Sequence, residues 1–124
     1  MKKVLAVDDH EEILEIVKSK LTKNNYIVET LSDSTKVIEF ASEFKPDLIL
    51  LDIMMPKITG FEICSLIRNN KSLKNTKIVF LTAKDMDFAR TKAKEVGADG
   101  FISKPFSPKE LLDYVNQMLG EGEK

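Results

Sequence analysis

The sequence predicts an α/β domain: one parallel sheet of five strands, with five helices distributed over its two faces. Three observations predict it. Five short apolar runs recur along 124 residues, each followed by a stretch of helically spaced apolar residues, at intervals near the ~30 residues of a βαβ unit. The run Leu48 to Leu51 has no polar alternation, which fits a strand covered on both faces. Four of the five runs end in polar residues, Asp8-Asp9, Asp52, Thr82 and Lys104, as expected at the carboxyl edge where open parallel sheets keep their ligands.

Lys3 to Val7 reads as strand one, feeding a helix with Ile13, Leu14, Val17 and Leu21 inward. Asp9 and Glu12 have the spacing of a capping box for that helix. Tyr26 to Leu31, β-branched and aromatic, is strand two. Ser32 to Ser34 can cap helix two, whose apolar face is Val37, Ile38, Ala41 and Phe44 and which Pro46 ends. Leu48 to Leu51 is strand three, followed by a loop from Asp52 to Thr59. Thr59 and Glu62 then box the start of helix three, with Phe61, Cys64 and Ile67 inward.

Lys77 to Leu81 is strand four, running into Thr82. The helix after it turns Ala89, Ala93 and Val96 inward and stops at Gly97. Gly100 to Ser103 is a short strand five, ending in Lys104-Pro105. Helix five has the clearest start in the chain: Ser107 as cap, Pro108 at the first position, Glu110 as box partner, then Leu111, Leu112, Val115, Met118 and Leu119.

Nineteen basic and 20 acidic residues are interspersed for a net charge of -1, so no broad basic field exists for gripping nucleic acid or anionic lipid. The single cysteine, Cys64, rules out an internal disulfide, and its helical spacing makes it a core residue. Lys2, Lys3 and then Asp8 and Asp9 interrupt the N-terminus too early for a signal-peptide core or a spanning helix, and a cytoplasmic chain is expected.

Three carboxylates gathered on one edge repel unless a cation joins them, and one lysine does not offset all three. Hard oxygen ligands suit Mg²⁺, which keeps waters and takes up a substrate phosphate. Acids, an ammonium and a hydroxyl together therefore suit phosphoryl transfer to a carboxylate.

The set Asp8-Asp9, Asp52 within LDIMMPKITG, Thr82 within LTAK, and Lys104-Pro105-Phe106 resembles the receiver domain of two-component response regulators. The likeness spans the whole chain, with residues 1–120 as the receiver and 121–124 as a short tail. It implies a flavodoxin-like, doubly wound sheet in the order 2-1-3-4-5. It also implies that Asp52 accepts a phosphoryl group and that Asp9, Asp52 and the backbone carbonyl of Met54 hold Mg²⁺, with Asp8 acting through a bound water. Lys104 would pair with phosphoryl oxygens, Thr82 would hydrogen-bond them, Phe101 would turn behind Thr82, and Pro105 would follow a cis peptide. Met54 and Lys84 stand at positions that in this family affect the lifetime of the acyl phosphate.

The partners implied are a sensor histidine kinase or phosphotransfer protein upstream and a protein or output domain downstream. Neither direct nucleic-acid binding nor a membrane is expected, and the chain would be a monomer or a weak phosphorylation-dependent dimer. It would catalyse only its own phosphorylation and dephosphorylation. The clean end of helix five at Gly120 favours a free-standing receiver over a piece of a longer regulator. Two rival readings use the same acids. A Mg²⁺-dependent aspartate-nucleophile phosphatase would have a second acid two residues beyond the nucleophile, where Met54 stands, and a metal-binding interaction module would bind the ion without being phosphorylated. Met54 and Met55 are expected to pack the loop, and His10 to be solvated.

Overall fold

The computed structural model describes residues 1–83 and 88–121. In chain order its elements are β1 (Lys3–Val7), α1 (Glu11–Thr22), β2 (Ile27–Leu31), a 3₁₀ turn (Ser34–Lys36), α2 (Val37–Phe44), β3 (Leu48–Asp52), α3 (Gly60–Arg68), β4 (Lys77–Ala83), α4 (Phe88–Glu95), β5 (Gly100–Lys104) and α5 (Pro108–Leu119). All pairings are parallel, in the order β2-β1-β3-β4-β5. This is the expected doubly wound, flavodoxin-like arrangement, with β3 central and buried at every position.

Strand periodicity sorts the core into two layers, because successive side chains leave a strand on opposite faces. Leu5, Val7, Ile49, Leu51, Ile78 and Phe80 pack with Val37 and Ala41 of α2, Ile63, Cys64 and Ile67 of α3, and Ala89 and Ala93 of α4. Val4, Ala6, Leu48, Leu50, Val79, Leu81 and Ile102 pack with Leu14, Val17 and Leu21 of α1 and Leu111 and Val115 of α5. Among the described residues no helix is long and apolar enough to cross a membrane.

Both later capping boxes form. Thr59 and Ser107 each accept from the backbone three residues on, while Glu62 and Glu110 reach back to the cap nitrogens. The left-handed stop at Gly97 is present, with φ +87. The proposed Asp9–Glu12 box is not. His10 is the cap residue of α1, without a side-chain cap bond, because the carboxylate of Asp8 takes the His10 N–H and the Asp9 side chain faces the imidazole. Nor do Ser32 to Ser34 cap α2 directly. Asp33 accepts from the Thr35 N–H and hydroxyl, capping the 3₁₀ turn, and Ser34 donates to the Pro56 carbonyl at 2.8 Å. Tyr26 lies just before β2, its hydroxyl bonded to Asn116 of α5.

Met55 enters the core as expected, but Met54 does not pack: it is 63% exposed, one residue earlier in the loop. At the far edge of the sheet a clamp appears that periodicity could not reveal. Arg68 donates to the carbonyls of Gly97, Lys74 and Thr76 and pairs with Asp99 at 2.7 Å, and that same Asp99 oxygen accepts from Ile78 N–H at 2.8 Å. Lys84 and residues 122–124 of the tail lie outside the described residues.

Candidate functional site

Register explains why residues far apart in sequence meet. Val7 pairs with Leu51, Asp52 with Leu81 and Ala83 with Lys104, so the carboxyl ends of β1, β3, β4 and β5 are level. Parity does the rest. Asp8 continues the Val4, Ala6 series, Asp52 the Leu48, Leu50 series and Lys104 follows Ile102, all on the α1/α5 side. Thr82 follows Ile78 and Phe80 on the opposite side, as does Phe101, which packs against that layer.

The charged tips come together. Lys104 Nζ stands 2.8 Å from Asp8 Oδ2 and 3.3 Å from Asp52 Oδ1. Asp8 is fully buried and Asp52 is 5% exposed, whereas His10 stands at the pocket mouth and is solvent-exposed, as expected. Its Nδ1 lies 3.0 Å from Asp8 Oδ1 and 3.2 Å from Asp9 Oδ1. One ligand-capable atom from each of Asp8, Asp9, His10 and Asp52 falls within 4.8 Å of the others. Gly60, the first residue of α3, sits so close to β3 that a Cβ there would lie 2.4 Å from the Asp52 carbonyl oxygen.

Burial pushes the Asp52 carboxyl up to about 6, with the negative charge of Asp8 adding to it and Lys104 pulling the other way. His10 is also raised, first by its hydrogen bond to Asp8 and then by the charge of Asp9. Asp9 Oδ1 is shut off from solvent and makes no hydrogen bond among the described residues, with the His10 ring nitrogen 3.2 Å away. A pocket with three carboxylates, one ammonium and an oxygen without a hydrogen bond fits a hard divalent cation such as Mg²⁺, which takes carboxylate oxygens and keeps waters.

Of the residues singled out in the sequence, Asp8, Asp9, Asp52 and Lys104 share this pocket. Thr82 is buried at the adjacent strand end, but its hydroxyl donates to the Ala83 carbonyl at 3.3 Å rather than to Asp52. Phe101 is half-buried, with the Arg90 guanidinium 4.6 Å from its ring centre. The Lys104–Pro105 bond is cis. Cys64 is buried, its thiol pushed up to about 11 by burial, as befits a core position. Sequence reading missed the place of His10 in the cluster. Its position directly after two acids at a strand-to-helix turn was the available clue.

The receiver-domain expectation meets three independent comparisons. The family model described as "Response regulator receiver domain" matches residues 4–116. The chain is 41% identical over 122 residues to the alkaline phosphatase synthesis transcriptional regulatory protein PhoP of Bacillus subtilis (strain 168), covering 98% of this chain and 50% of that protein. It is 36% identical over 113 residues to Protein PilG of Pseudomonas aeruginosa, covering 91% and 84%. The chain thus spans about half the length of PhoP and most of PilG. The solved structure of the chemotaxis response regulator CheY4 of Vibrio cholerae superposes with a TM-score of 0.90 at 37% identity, covering 96% of this chain and 99% of that one. With its strand order, its carboxyl-edge acids and these matches agreeing, the chain belongs to the receiver-domain family of two-component response regulators.

Proposed function

We propose that this chain is a phosphorylation switch in which Asp52 takes a phosphoryl group from a histidine kinase or phosphotransfer protein. The observation that carries the reading is the buried Asp52 carboxylate at the end of β3, within 3.3 Å of Lys104 and inside the Asp8, Asp9, Asp52 cluster. A carboxylate oxygen of Asp52 attacks phosphorus in line, forming the acyl phosphate while the donor's bond to phosphorus breaks and the donor leaves with the electron pair. Asp9, Asp52 and the Met54 carbonyl would hold Mg²⁺, with Asp8 acting through water. The ion's contribution when bound is to neutralise charge on the phosphoryl oxygens.

Lys104 already bridges Asp8 and Asp52, so on phosphorylation its ammonium has only to follow the new charge. The added group brings roughly two negative charges. Thr82 would exchange its bond to Ala83 for one to the phosphoryl group, and Phe101, on the same side of the sheet, would move into the space vacated. Phe101 has no hydroxyl, so it reports the state through packing alone on the α4–β5–α5 surface, where a downstream protein or output domain would read it. Incubation with Mg²⁺ and acetyl phosphate tests this. An adduct of about 80 Da on Asp52, absent from Asp52→Asn, is expected; no adduct on the native chain, or an equal one on the variant, overturns it.

A further inference from the structure

The imidazole at the mouth of the acidic pocket is unused by the switch. His10 Nδ1, Asp8 Oδ1 and Asp9 Oδ1 stand 3.0 and 3.2 Å apart along the two contacts to the ring nitrogen. Two ligands bound at right angles to one ion through bonds of about 2.0–2.2 Å are about 3 Å apart, so these atoms already have the spacing of neighbours on a single metal. Asp52 supplies a fourth ligand atom within the same 4.8 Å group. Asp9 Oδ1 is enclosed without a hydrogen bond among the described residues and lies 3.2 Å from this nitrogen. In the metal-free chain Nδ1–H donates to Asp8 across the 3.0 Å contact, and an incoming ion would displace that proton and take the lone pair.

Mg²⁺ gains little from a nitrogen ligand, whereas imidazole suits nickel, copper and zinc, which also bind mixed nitrogen and oxygen sites more tightly than the earlier divalent ions do. We propose that His10 makes this pocket a site for nitrogen-seeking divalent transition ions, of the Ni²⁺ and Zn²⁺ class, in competition with Mg²⁺. The proposal rests on the cation-binding reading of Asp8, Asp9 and Asp52 and extends it to a second class of ion.

The chain has one histidine, so any imidazole coordination belongs to His10. The test uses the untagged chain at pH 8. Calorimetric affinities for Ni²⁺ and for Mg²⁺ are compared among the native protein, His10→Ala and His10→Gln, with circular dichroism confirming the fold. His10 makes no side-chain cap bond, so neither variant removes one. The Ni²⁺-to-Mg²⁺ affinity ratio is expected to fall by about tenfold or more in both variants, a loss in the range seen when groups around a metal are removed. Cu²⁺ spectra of the native chain are expected to show one imidazole nitrogen, lost in the variants. An unchanged ratio, or oxygen-only coordination, overturns the proposal. If the Asp52 adduct forms while the ratio stays fixed, only this proposal falls; if no adduct forms while the ratio drops, only the phospho-acceptor reading falls.

Discussion

Lys104 stands closer to Asp8 than to Asp52, 2.8 against 3.3 Å, although Asp52 is the central carboxylate of the pocket. The fully buried Asp8 is the acid most in need of a counter-charge, and the ammonium takes the position that serves it best. Lys104 is thereby held by one acid while remaining in contact with the other.

Removing the ammonium strands Asp8. Breaking a fully buried pair costs about 3–5 kcal/mol, and the partial exposure of Lys104 reduces this. Lys104→Met is therefore expected to lower metal-free stability by roughly 2 kcal/mol at pH 7.5 in urea titrations, with Mg²⁺ restoring part of it. Native-like stability in EDTA would show that the pair contributes nothing.

Asp52 carries the opposite expectation. Its pKa in the folded chain, about 6, lies above the ordinary 3.8, so the folded state holds its proton more tightly than the unfolded one. The associated stability is fully present below about 3.8 and lost as pH rises through about 6. At pH 7.5 without metal, Asp52→Asn should be more stable than the native chain by roughly 1–3 kcal/mol, the gap closing at pH 4. A less stable variant at pH 7.5 contradicts the burial argument.

Gly60 lets α3 approach β3. Its amide donates to the Ile53 carbonyl at 2.9 Å, and a Cβ would meet the Asp52 carbonyl at 2.4 Å and Ile53 Cα at 2.9 Å, both backbone. Gly60→Ala must push the loop away from the strand end, at a cost of about 1–3 kcal/mol. Cation affinity should fall with it, since the displaced backbone carries Asp52. Thermal melts and Mg²⁺ titration read the two effects, and an undisturbed variant would mean that the loop yields freely.

Arg68 separates stability from chemistry. Its guanidinium satisfies three backbone carbonyls and Asp99 at the edge of the sheet opposite the acids. Arg68→Ala is expected to cost about 2 kcal/mol of stability, in line with the loss of charged hydrogen bonds. Mg²⁺ affinity should change less than twofold. A large loss of affinity would mean that the two edges are coupled.

Local chemistry in the chain determined a great deal. The unbroken run Leu48 to Leu51 specified a central strand, Ser107-Pro108 with Glu110 specified a helix start, and polar residues closing four strands specified the edge where a site would form. Those features depend on period and on neighbours within a few residues, which a sequence carries openly. Tertiary structure alone decided that Lys104 favours Asp8, that His10 rather than Asp9 takes the cap position of α1 and sets its ring against the two acids, that Ser34 reaches Pro56 and that Arg68 finds Asp99. Each is a choice among several partners of the right chemistry, and it is made by distances that exist only once strand register and helix packing have brought remote segments together.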